Sequence, residues 1–324
     1  MPKAIRIHQT GGPEVMAYEE VELGKPGPGQ ALVRQMACGL NFVDVYFRTG
    51  LYPQPLPAGL GMEGAGVIEE LGAGVTHLQV GDRVAYAARP PGAYAERRLM
   101  SAGALVKLPG AISFETAAAV MLQGLTVQYL FRRTFPLQGG ETILFHAAAG
   151  GVGLIACQWA RAMGVTMIGT VGSDEKAELA KAHGCVHVIN YRREDFVARV
   201  KEITEGQGVP VVYDSIGKDT FSGSLDCLSP LGMMVSFGSA SGPVPPFDLA
   251  ELAKRGSLFI TRPSVFDYTA RRDDLEKAAA ELFSMIEGGK IKVDVNQRYA
   301  LEDVAQAHRD LEARKTTGST ILIP

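Results

Sequence analysis

A chain of 324 residues, 46% of them hydrophobic, is long enough to bury two ordinary domain cores, which excludes a disordered polymer. Its 32 Lys and Arg against 35 Asp and Glu leave a net charge of -3, so nothing in the global balance recruits nucleic acid or an anionic membrane. A small neutral or anionic ligand is the default partner. No segment sustains the ~18 apolar residues of a membrane span, and MPKAIRIHQTGG has no long apolar run behind its charges, so a cytoplasmic protein is expected. The four cysteines, Cys38, Cys157, Cys185 and Cys227, form no CxxC pair and predict no disulfide.

Taken in chain order, the segments KAIRIHQ, ALVRQMAC, GAGVIEEL and GDRVAYA are short strands set off by Gly and Pro, as in PGPGQ. They predict a twisted, largely antiparallel β domain. At Ser113, a candidate N-cap, the texture changes: SFETAAAVMLQGLTVQYLFRRT contains no Pro and predicts one long helix. Alternating units follow. ETILFHA is a strand, GGVGLIACQWARAMG a helix ending at Gly164, VTMIGTV a strand, and SDEKAELAKAHG a helix ending at Gly184. VHVIN, VPVVYDSIG, the apolar segment from Gly232 to Phe237 and SLFIT continue the strands, with EDFVARVKEITEG a helix between the first two. This alternation predicts an α/β fold with a doubly wound parallel sheet. Helices around Leu275 to Glu287 and Leu301 to Arg314, then the strand-like TILIP, return the chain to its first domain. The expected division is 1–120 with 263–324, and 121–262.

ETILFHA runs directly into Ala147-Ala148-Ala149-Gly150-Gly151-Val152-Gly153 and then into a helix. A strand, a Gly-rich turn and a helix make a dinucleotide cradle, because glycines let backbone N–H groups approach a pyrophosphate at the helix N-terminus. Ala148 stands at the first glycine of GxGxxG. The next strand ends in Gly172-Ser173-Asp174-Glu175-Lys176, where an NAD enzyme usually places an acid on the ribose 2'-hydroxyl. The expected position is neutral and Lys176 is cationic, which suits a 2'-phosphate. Tyr191, in INYRRED, can add a hydroxyl, with Arg192 and Arg193 as helpers. NADPH is therefore expected, and Asp174 keeps NAD open as an alternative.

The motifs ACGLNFVDVYFRTGLYP, LPAGLGMEGAGVIEELGAGV, VGDRVAY, FHAAAGGVG, VYDSIGKDTF and SFGSASG together resemble the medium-chain dehydrogenase/reductase superfamily, and within it the quinone oxidoreductases. The resemblance spans essentially the whole chain and implies a GroES-like β-rich catalytic domain beside a Rossmann-type cofactor domain. Zinc alcohol dehydrogenases of the superfamily carry a ligand cysteine where Asn41 stands and a histidine where Met62 precedes Glu63. Both are replaced by residues that hold zinc poorly, and the cysteine cluster of a structural zinc is absent after GDRV, so no metal is expected. Cys38 reads as a small apolar filler.

By the same resemblance Asn41 faces the nicotinamide ribose and the acceptor, and Tyr46 and Tyr52 line the pocket and are candidate proton donors. Asp44 and Arg48 belong to the same motif. The implied cofactor contacts are Asn41, Gln123, Thr126, Ala149, Gly150, Gly151, Val152, Gly172, Ser173, Lys176, Tyr191, Ser215, Ile216, Phe237, Gly238, Ser239 and Pro263. Arg314 resembles a residue that reaches the adenosine 2'-phosphate. Without a Lewis acid the acceptor must already be electrophilic, which implies an NADPH-dependent quinone reductase. An enone double-bond reductase and a noncatalytic NADPH-binding protein stay open. The resemblance also implies a homodimer in which the strand GSLFIT, residues 256–261, pairs with its twin.

Overall fold

The computed structural model describes residues 1–324 and divides into two compact units. The first comprises Met1–Leu125, Tyr268–Gly288 and Val293–Pro324, and the second Thr126–Asp267 with Gly289–Lys292. The boundaries thus fall at 125 and 267 rather than 120 and 262. One reason is local: Leu122 N–H donates to Glu63 and Gln123 is bonded to Ser319, which fasten this stretch to the first unit.

In the first unit a sheet runs in the order Val295–Ala300, Ser319–Ile323, Gln30–Leu40, Glu63–Leu71, Arg83–Ala87, Val106–Lys107, with Arg97–Ser101 also paired to Gln30–Leu40. Every pair is antiparallel except the first. The two-residue period of a strand explains the faces: Ala31, Val33 and Gln35 point inward while Arg34 is exposed. Val33, Ile68, Val84, Tyr86, Met100 and Leu105 share the core. The chain's last strand pairs with residues 38–40, so the C-terminus completes this sheet. A smaller sheet joins Met16–Glu20, Lys3–Ile7 and Ala58–Gly59.

The single helix expected after Ser113 is interrupted. Ser113 does cap, its Oγ accepting from Thr116 N–H at 3.1 Å. The helix then stops at Ala118, resumes over Met121–Tyr129, and ends in a π-turn at Leu130–Thr134. The break has a tertiary cause. Leu122 N–H, which a continuous helix would aim at the carbonyl of Ala118, goes instead to the Glu63 carboxyl at 2.7 Å.

The second unit is a six-stranded parallel sheet in the order His187–Asn190, Thr166–Val171, Thr142–Phe145, Val209–Asp214, Leu228–Ser236, Phe259–Thr261. This is the dinucleotide order in which the chain steps outward on one side and then on the other. Leu144, Ile168, Ile189, Val212 and Met234 fill the core with Val200 and Phe221 from flanking helices. Gly164 stops the helix Gly151–Met163 in a left-handed conformation, as the sequence predicts. The edge strand is shorter than the expected 256–261, because Gly256 and Ser257 turn with positive φ and pairing begins only at Phe259. No helix is long and apolar enough to cross a membrane.

Candidate functional site

In the first unit, the motif that opens with Cys38 leaves its strand at Leu40 and turns into a helix, Phe42–Thr49, which strand reading does not foresee. Asn41 is its N-cap. The Asp44 carboxyl accepts from the Asn41 backbone N–H at 2.9 Å, which frees the Asn41 side chain for other work. Its Nδ2 donates to Glu63 Oε2 at 2.6 Å and its Oδ1 accepts from Gln123 Nε2 at 3.2 Å. Gln123 Oε1 in turn accepts from Ser319 Oγ at 2.9 Å. Four elements therefore fix one buried amide. Gly39 is required beside it, since a Cβ there would lie 2.2 Å from the Ala118 carbonyl and 2.3 Å from Glu63 Oε2.

Glu63 is fully buried, and burial pushes its carboxyl up to about 8 against the N–H donations of Asn41 and Leu122. Asp44, also fully buried, is pushed up to about 7 by burial despite accepting from Tyr94 Oη at 2.7 Å. The helix carries Tyr46, whose ring meets that of Tyr52 edge-on at 5.2 Å, with Phe42 and Phe47 at 5.6 Å from one tyrosine each. Tyr46 and Tyr52 thus stand together. Arg48 points away from them. Buried, it forms a bidentate pair with Glu312 at 2.9 Å, and reaches His308 Nδ1 at 3.0 Å and the Gly11 carbonyl at 3.1 Å. It anchors the tyrosine helix to the helix Val304–Glu312. Burial and then Arg48 push His308 down to about 3, so it accepts as a neutral ring. Arg314 lies just beyond that helix, exposed, with φ 58°.

In the second unit, the helix Gly151–Met163 begins at Gly150, an N-cap whose side chain can satisfy none of the first N–H groups. Beside Ala149 and Gly150, the N–H groups of Gly151 and Val152 at this helix start are therefore left without a capping side chain, an arrangement that can hold an anion such as a pyrophosphate. Gly153 allows the close packing beneath it, because a Cβ would lie 2.3 Å from the Ala147 carbonyl. At the next strand end, Tyr191 Oη covers Gly172 so closely that a Cβ there would sit 2.6 Å from it. A side chain at that position would have to push the Tyr191 ring aside. Ser173 caps the helix Asp174–Ala182 by accepting from Lys176 N–H at 3.3 Å, which brings Gly172, Ser173, Lys176 and Tyr191 to one sheet end. Ser215–Gly217 and Phe237–Ser239 pack backbone to backbone: Ala240 N–H donates to Ser215 O at 3.1 Å and Ser241 N–H to Ile216 O at 2.9 Å. Thr126 is buried within Met121–Tyr129, and Pro263 follows the edge strand.

Residues 27–110 match the GroES-like domain of alcohol dehydrogenases and residues 151–284 the zinc-binding dehydrogenase family. A quinone oxidoreductase of Pseudomonas aeruginosa is 55% identical over the whole of both chains. The chain belongs to the quinone oxidoreductase family. A crystal structure of the Escherichia coli quinone oxidoreductase complexed with NADPH superposes with a TM-score of 0.98 at 52% identity, covering 99% of this chain and 100% of that one. A 2-haloacrylate reductase of Burkholderia is 46% identical over 100% of this chain and 99% of its own. The zinc that one matched description implies does not fit the residues present in this chain. Asn41 turns its NH2 toward Glu63, Met62 is fully buried, and Cys38, its thiol pushed up to about 12 by burial, donates to the Ala93 carbonyl. No three His, Cys, Asp or Glu side chains gather to hold a metal.

Three further groups, Asp214, His146 and Arg262, support the DSIG and SFGS loops without being foreseen from the sequence. Asp214 is buried and accepts four hydrogen bonds, from the N–H groups of Ile216 and Gly217 and the hydroxyls of Thr220 and Ser224, at 2.7 to 3.0 Å. It shapes the loop that carries Ser215 and Ile216. Since Ser224 gives its proton to Asp214, His146 Nε2 donates to Ser224 at 3.0 Å and Nδ1 accepts from Thr170 at 2.9 Å, which fixes one tautomer. Burial lowers the His146 pKa and keeps that ring neutral. Arg262 staples the other loop, donating to Ser236 O, Gly238 O and Ser239 Oγ. Asp214 opens the DSIG string and His146 lies in FHAAAGGVG, but only tertiary contacts show what they hold, and Arg262 lies outside any motif.

Proposed function

We infer that this chain is an NADPH-dependent reductase of quinones that works without zinc. The observation that carries the reading is the closed amide and carboxyl cluster of Asn41, Glu63 and Gln123, which stands where zinc dehydrogenases assemble metal ligands. Identity of 55% with a quinone oxidoreductase over the full length supports it. On the cofactor side, Gly150, Gly151 and Val152 hold the pyrophosphate. Lys176, Ser173 and Tyr191 hold the 2'-phosphate, and the loops of Ser215–Ile216 and Phe237–Ser239, with Thr126 and Pro263, hold the nicotinamide side.

When bound, NADPH supplies a hydride. A quinone disperses the resulting charge over its own ring, so this chain need only orient the acceptor and keep water away. An amide has two N–H donors, and Glu63 takes one of Asn41's, which leaves the other for an acceptor oxygen. The raised Glu63 carboxyl adds no full negative charge at neutral pH, so it does not oppose the developing oxyanion. Tyr46 and Tyr52 are the candidate proton donors.

A second reading, reduction of a conjugated carbon-carbon double bond, is favoured by the 46% identity to a 2-haloacrylate reductase. We assign the protein to the cytoplasm as a homodimer joined through Phe259–Thr261. That strand ends the sheet, and Phe259 and Ile260 are 57% and 36% exposed there, an apolar edge that pairing would cover. Steady-state oxidation of NADPH against a benzoquinone and a conjugated enone tests the reading. Turnover with the quinone supports it, preference for the enone selects the second, and tight binding without turnover overturns both.

A further inference from the structure

Beside the residues assigned to the 2'-phosphate stands a carboxylate that ought to oppose it. Asp174 is the first residue of the helix Asp174–Ala182, adjacent to Ser173 and two positions from both Gly172 and Lys176. A helix N-terminus tolerates an acid, but an unpaired one here would repel a dianionic phosphate and could accept the 2'-hydroxyl of an unphosphorylated ribose. The structure does not leave it unpaired. Arg193 Nη1 meets Asp174 Oδ2 at 2.7 Å, and Asn190 Nδ2 donates to Asp174 Oδ1 at 2.8 Å.

The Asn190 amide cannot turn over, because it is buried and its Oδ1 accepts from Arg192 N–H at 3.2 Å. Both oxygens of Asp174 are thus directed toward the end of the strand His187–Asn190. The turn after that strand supplies Tyr191 and Arg193 together, one for the phosphate side and one for the carboxylate. The Asp174 and Arg193 side chains are 53% and 71% exposed, so the pair adds little to folding stability and its charge balance falls on whatever binds alongside.

We propose that Arg193 is a specificity-determining residue: by holding Asp174 in an ion pair it removes the carboxylate from the ribose site and sets the preference for NADPH over NADH. The proposal rests on the NADPH reading above. Arg193 acts through Asp174 rather than by touching the cofactor.

The test is fluorescence titration of the intact protein with NADPH and with NADH at low ionic strength, for the wild type, Arg193→Ala, Asp174→Asn and the double variant. Arg193→Ala should weaken NADPH by about five- to tenfold, the size of one uncompensated charge near a phosphate, while NADH is unchanged or tighter. Added salt should shrink the difference. The double variant should regain NADPH affinity to within about threefold of the wild type, since no carboxylate then remains to be neutralised. An unchanged NADPH to NADH ratio in Arg193→Ala overturns the proposal. So does a double variant that fails to recover, which would mean that Arg193 binds the phosphate itself. A wild type with no preference for NADPH would instead remove the underlying reading. Both positions are exposed, so the variants should fold.

Discussion

Asn41 gives one amide hydrogen to the buried carboxyl of Glu63 at 2.6 Å, and it follows directly on a strand whose register pairs Gly39 with Glu63. The contact fixes an amide at the position where the zinc branch of the superfamily carries a ligand cysteine, next to buried Met62 where that branch carries a histidine. It also ties the catalytic reading to the stability of the sheet.

Replacing Asn41 by Ala removes a donor from a carboxyl that has no water to turn to. Unfolding in urea should show a loss of about 1–3 kcal/mol, and quinone turnover should fall roughly tenfold or more. Unchanged kinetics with several acceptors would take Asn41 out of the site.

The buried acids and histidines predict a pH dependence whose sign can be worked out. Glu63 and Asp44 are raised, so the fold is stabilised by their neutral forms, and that contribution is lost as pH rises through about 7 for Asp44 and about 8 for Glu63. His146 and His308 are lowered, so their contribution is present above their ordinary value of 6.5 and is lost as pH falls. Below 6.5 the two pairs oppose each other. Above it only the carboxyls of these four still titrate, so the urea midpoint should drop between pH 6.5 and about 8. Glu63→Gln should remove the later part of that drop whatever its own midpoint. An equal slope in the variant would show that Glu63 is ionised throughout.

Asp214→Ala leaves two N–H groups and two hydroxyls without their acceptor. A destabilisation of about 3 kcal/mol or more is expected, together with weaker NADPH binding as the Ser215–Gly217 loop loosens. A midpoint shifted by less than about 1 kcal/mol in urea would mean that the loop holds itself through its backbone contacts with residues 240–241.

Lys176→Ala should weaken NADPH about tenfold while changing NADH by less than about twofold, as read by cofactor titration. Equal losses for both would place Lys176 on a solvated helix face with no phosphate.

Local chemistry was legible in the sequence. The Ser113 cap, the Gly164 stop and the βα alternation each depend on residues a few positions apart, and each is present. The Asn41 cluster was only half legible, because its partners Glu63, Gln123 and Ser319 come from three distant segments and no spacing announces them. The same tertiary bond from Leu122 to Glu63 split a helix that propensity alone makes continuous. The helix Phe42–Thr49 carried its signal in Asn41 and in Asp44, whose carboxyl accepts from the Asn41 backbone N–H, but β-branched Val43 and Val45 beside a strand obscured it. At the sheet edge, Gly256 marked the turn that shortened the strand. Asp214 stood inside the DSIG string and Arg262 outside any motif, but neither role could be read by pattern, since both act by bonding to loops rather than by lining them.

The most direct test of zinc-independent reduction is a single-turnover stopped-flow trace of NADPH absorbance, with protein dialysed against a strong chelator and mixed with a simple benzoquinone. The account predicts rapid oxidation at a rate that neither the chelator nor added zinc changes. A rate abolished by chelation and restored by zinc would contradict it.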